Sequence, residues 1–81
     1  MVHEIKKGKL KKFIRQRLLE YFPDYLSHFN KKLLNNALIF TQGYLKCLLQ
    51  MGETPMKVED IESLVLQEAY EHILDKIRNE S

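Results

Sequence analysis

Pro23 and Pro55 are the only prolines in the chain, and they bracket its most apolar stretch. Between them, Leu26, Phe29, Leu33, Ala37, Phe40, Tyr44 and Leu48 recur at helical spacing, with Leu34, Leu38, Leu45 and Leu49 beside them. Apolar residues every three or four positions describe one face of an α-helix rather than the alternation of a strand. The spacing predicts a helix over about 25–51, capped by Asp24 or Ser27 and stopped by Gly52, which tolerates left-handed backbone. Two adjacent apolar stripes leave a narrow polar strip, so this helix is expected to be central and contacted from more than one side. Gly43 is a weak point in it, allowing close packing or a bend.

The flanking segments read as shorter helices. Leu10, Phe13, Ile14, Leu18, Leu19 and Phe22 give a helical face over about 9–22. It ends where Pro23 disfavours helical geometry at Phe22. Gly8 weakens the start, and residues 1–8 are expected to be a frayed basic lead-in. Thr54 and Pro55 form a cap-then-proline start to a third helix over about 55–79, with Ile61, Val65, Ala69, Ile73 and Ile77 on its face. Glu59, Asp60 and Glu62 near its beginning and Lys76 and Arg78 near its end suit the helix dipole. The expected fold class is all-α: three helices with a long central one, in a single small domain.

With 81 residues, such a domain buries only about 60% of the surface its unfolded chain exposes. A central helix of ~40 Å, at about 1.5 Å per residue, outruns its neighbours. Homodimerisation is the expected remedy, with Leu34, Leu38, Tyr44, Leu45, Leu48 and Leu49 as pairing residues. The single cysteine, Cys47, lies in the greasy stretch and is expected to be a buried small hydrophobe. No run is long and apolar enough for a membrane span, and no secretory leader pattern is evident, so a cytoplasmic protein is expected.

A net charge of +2 hides a lopsided distribution. Lys6, Lys7, Lys9, Lys11, Lys12, Arg15 and Arg17 crowd the first segment, whereas carboxylates dominate the last. The basic cluster is a candidate nucleic-acid contact through phosphate neutralisation, an attractor of acidic proteins, or a solvated face. Insertion into an anionic membrane would need Leu10, Ile14 and Leu18 to be free of the domain. Glu68, His72 and Asp75 share a helix edge that reads as a surface cluster or, with ligands from another element, a metal site. No nucleophile–base pair, phosphate loop or Cys/His set is present in the sequence, so no enzyme activity and no cofactor are expected.

The stretch "GETPMKVEDI" resembles the second loop and third-helix start of archaeal histones and related histone-fold subunits. Gly52, Met56, Lys57, Glu59, Asp60 and Ile61 stand in the corresponding relative places. The resemblance covers about ten residues. Leu49, Gln50 and Met51 replace the arginine usual before the glycine, and the first loop, "FPDYLSHFN", lacks the family's pattern. The resemblance implies an obligate dimer whose basic helix ends touch DNA. An ordinary helix joint is the other reading of the same residues. Two functions are therefore carried forward: a non-enzymatic regulatory or adaptor protein acting through an unidentified protein partner, and a histone-fold-like DNA-binding dimer.

Overall fold

The computed structural model describes residues 4–51 and 57–80. They form α1 (Lys7–Tyr21), a 3-10 helix (Pro23–His28), α2 (Lys31–Met51) and α3 (Val58–Glu80), with no strand among the described residues. The chain is all-α.

Leu10, Ile14 and Leu18, one residue per turn of α1, are completely buried. The lead-in is not frayed over its described part. Ile5 is 2% exposed, and its carbonyl accepts a 3.0 Å hydrogen bond from Gln42 Nε2 on α2. With Lys6 as N-cap, Ile5 and Leu10 occupy the two positions of a hydrophobic staple, which fixes how the chain enters the helix. Gly8 therefore falls inside the first turn instead of preceding it. At the other end, the N–H of Phe22 donates to the Leu18 carbonyl and its backbone leaves helical geometry, as the following proline requires.

The helix expected over 25–51 is divided. Pro23 opens a 3-10 helix, Phe29 is extended (φ −81°, ψ 92°), and α2 starts only at Lys31. Neither Asp24 nor Ser27 caps it. Asn30 does, its Oδ1 accepting the Leu33 N–H at 2.9 Å. Leu26 and Phe29 keep helical spacing with α2, yet the chain has turned before reaching it. With 21 residues, α2 is roughly 30 Å long rather than ~40 Å. Asn30→Ala should cost about 1 kcal/mol of stability in urea unfolding; an unchanged midpoint would remove the cap from this account.

Central position belongs to α3, the longest helix at 23 residues. Among the described residues it supplies half of the buried hydrophobic core: Ile61, Val65, Leu66, Ala69, Tyr70, Ile73, Leu74 and Ile77. Helices α1 and α2 both pack on it, and only lightly on each other. From α2 come Leu33, Leu34, Ala37 and Leu45, together with Thr41, whose buried hydroxyl donates to the Ala37 carbonyl at 2.6 Å. Gly43 lies on the outer face, where an added Cβ would meet nothing, so it serves neither close packing nor a contact. The first described residue before α3, Lys57, supplies the carbonyl that accepts from Asp60 and Ile61. The expected start at Pro55, and the first half of the stretch resembling histones (residues 52–56), lie outside the described residues.

Stacked rings hold the seams. His72 of α3 lies flat on Phe40 of α2, centroids 4.6 Å apart. Phe22 stacks on Tyr25, and the Arg78 guanidinium sits 5.2 Å from the Phe22 ring centroid, tying the 3-10 segment to the end of α3. Tyr70 is buried, and desolvation raises its pKa above the usual 10.0 against the opposing pull of Arg17 and Arg78. The folded state thus favours the neutral phenol. Above pH 10 the unfolded chain releases this proton more readily, so stability should fall as pH rises past that point. An absorbance titration of tyrosinate should show one tyrosine ionising last, and Tyr70→Phe should remove that step.

Candidate functional site

Because α1 and α2 lean on α3 and stand apart from each other, a groove opens between them. Lys7, Lys11 and Arg15, four residues apart, form one ridge along α1. Opposite them the 3-10 helix and its exit bring Leu26, Phe29 and Asn30, and the start of α2 brings Lys31 and Leu34. The groove is open to solvent and has a volume of about 560 Å³. A second cleft of about 360 Å³ continues it over Lys12, Gln16 and Leu19, sharing Gly8, Lys11, Arg15 and Leu26. Among the described residues no carboxylate lines either cleft. The result is an apolar floor between cationic walls.

The structure divides the seven-residue basic cluster. Lys7, Lys11, Lys12 and Arg15 face the groove. Lys9 turns the other way and pairs with Glu62 of α3. Arg17 packs its guanidinium 5.1 Å from the Phe13 ring centroid. Lys6 is exposed at the N-cap. Lys31 joins the groove although the sequence reading passed over it.

Its signal was electrostatic. The first turn of a helix favours acids, since free N–H groups and the dipole make that end positive. Neither α1 nor α2 has an acid in its first turn, and each begins with lysine; α3 has Glu59 and Asp60 there and Arg78 at its end. Two helices that break the rule at one groove, beside a third that obeys it, mark positions where charge opposes stability. Lys31→Glu should therefore stabilise the fold by about 0.5 kcal/mol while weakening capture of anions. Thermal unfolding checks the first effect. Loss of stability on reversal would show that Lys31 supports the fold.

The expected pairing residues are also divided. Leu34 and Leu45 are 5% and 4% exposed within the protomer's own core. Leu38, Tyr44 and Leu48 are half-buried against it, and Leu49 is exposed. Ile39, absent from the sequence-derived set, is 73% exposed, the most exposed large hydrophobe among the described residues. Cys47 is exposed, not buried: it follows Ile39 and Gly43 at four-residue steps on the outer face of α2.

Glu68, His72 and Asp75 do not assemble a metal site. His72 is engaged with Phe40, and among the described residues no group of three or more His, Cys, Asp or Glu side chains could hold an ion. The burial of Leu10, Ile14 and Leu18 removes the face with which α1 would enter a membrane. Among the described residues no helix is long and apolar enough to cross one. No protein-family model, curated protein or solved structure matches this chain.

Proposed function

We propose that this protein is a non-enzymatic binding module, a regulatory or adaptor protein that takes an acidic segment of another protein into the groove between α1 and α2. The observation that carries this reading is the pairing of five cations, Lys7, Lys11, Lys12, Arg15 and Lys31, with a floor of Leu26, Phe29 and Leu34. Phosphates alone would need only the cations. A protein segment offers carboxylates and apolar side chains together, and so uses both parts of the site. Self-association belongs to the proposal as well. On α2 its exposed apolar material is Ile39 and Leu49, with Leu38, Tyr44 and Leu48 at the margin, because Leu34 and Leu45 serve the protomer's core; Leu19 and Tyr21 of α1 are exposed as well.

A competition between ligands tests the partner class. An acidic, leucine-containing peptide and a DNA duplex of equal charge are titrated at about 50 and 200 mM salt. The expected result is peptide binding that survives, weakened, at the higher salt, because apolar contacts are not screened. DNA binding that collapses at the higher salt, without peptide binding, would replace this reading with the nucleic-acid one. The mass in solution, recorded alongside for the wild type and Ile39→Glu, decides the pairing: a monomer at the highest soluble concentration excludes it.

A further inference from the structure

We infer that the occupant of the groove is a helix: an amphipathic segment of a partner protein with carboxylates at i, i+4 and i+8 beside an apolar stripe. This rests on the groove being the binding surface and goes further, to the form and register of what binds. Lys7, Lys11 and Arg15 climb α1 in equal steps, each about 6 Å at 1.5 Å per residue. Carboxylates four residues apart on a facing helix repeat at the same interval, so three ion pairs can form in register. Lys31 places a further positive charge across the floor from that ladder.

Backbone chemistry separates a helix from an extended peptide of similar charge spacing. The groove walls are helices, and no strand exists among the described residues to offer a free edge. An extended peptide laid there would lose water from its amides and find no ladder to replace it. A helix satisfies those groups internally and brings only side chains. It would also complete a four-helix arrangement, filling the gap left because α1 and α2 pack only lightly on each other. Charge complementarity selects its chemistry, since the groove presents cations and apolar side chains without a carboxylate among the described residues.

Two labelled peptides of identical composition provide the test. In one, glutamates at i, i+4 and i+8 flank a leucine stripe; in the other, glutamates and leucines alternate so that no helical face forms. Both are titrated into the full chain by fluorescence anisotropy, with circular dichroism to read helix gained on binding. The helical-register peptide is expected to bind and gain helix, and Lys11→Glu with Arg15→Glu to weaken it about 100-fold. Equal binding of the alternating peptide would overturn the helical inference while leaving the groove in place. Failure of both peptides at low salt would overturn the inference and the proposed function together. Self-association abolished by the same double reversal would overturn the foreign-partner assignment, making the acidic face of a second copy the occupant.

Discussion

Ile73→Ala is expected to remove about 3–4 kcal/mol of stability, a large fraction of what a domain this small possesses. Ile73 is 0% exposed on the inward face of α3, the helix on which α1 and α2 both pack. Truncation loses the transfer free energy of the methyl and methylene groups and leaves a cavity that three rigid helices cannot fully close. At about 4–8 °C per kcal/mol, the melting temperature should fall by roughly 15–25 °C. Ile39→Ala removes the same atoms from a residue 73% exposed on α2, and should change stability by no more than about 0.5 kcal/mol. The pair separates two accounts of the fold. Comparable losses at both positions would mean that α2 is the helix covered on more than one side, as its composition alone suggests.

Charge reversal separates the two halves of the basic cluster with equal force. Lys11→Glu with Arg15→Glu and Lys9→Glu with Arg17→Glu change the net charge identically. Only the first pair lies in the groove. Lys9 is engaged with Glu62, and Arg17 with the Phe13 ring. Binding of an acidic helical peptide should drop about 100-fold for the first pair. The second should weaken it by less than about threefold through the long-range field, and cost about 0.5 kcal/mol of stability through the lost Lys9–Glu62 contact. Similar losses of affinity in both variants would show that net charge, not the groove, governs capture. Neither change touches the buried stripe of α1, so unfolding is not the expected route to either effect.

Much of the fold was legible in one dimension because its core is periodic. Leu10, Ile14 and Leu18, and Ile61, Val65, Ala69, Ile73 and Ile77, were expected on inward faces and are buried, whereas Leu19, expected on the same face of α1, lies at its edge and is 61% exposed. Helical spacing records which face is inward when each helix has only one apolar face. It fails on α2, which has apolar residues around most of its circumference, so Ile39 and Cys47 carry no mark distinguishing them from Leu34 and Leu45. The break before α2 was hidden for a related reason. Leu26 and Phe29 stay in phase with the helix beyond them, and Asn30, the true cap, resembles Asn35 and Asn36 in composition. Ile5 could have been found from its staple spacing to Leu10.

The groove was half legible. Four-residue spacing puts Lys7, Lys11 and Arg15 on one ridge, but which neighbour that ridge faces depends on how the 3-10 turn redirects the chain. Lys9 and Arg17 look equivalent in sequence, but Lys9 is diverted by Glu62, far away in the chain, and Arg17 by the half-buried ring of Phe13 one turn earlier. Apolar floor and cationic wall come from three separate segments, a juxtaposition no local pattern encodes.

Amide chemical-shift mapping of the full chain against an acidic, leucine-striped peptide addresses the central claim most directly. The account predicts perturbations concentrated at residues 7–15 and 26–34, on both sides of the groove, and quiet amides around Glu71 and Asp75 on the outer face of α3. Perturbations centred on the Ile39 face of α2, or none at all under low salt, would contradict it.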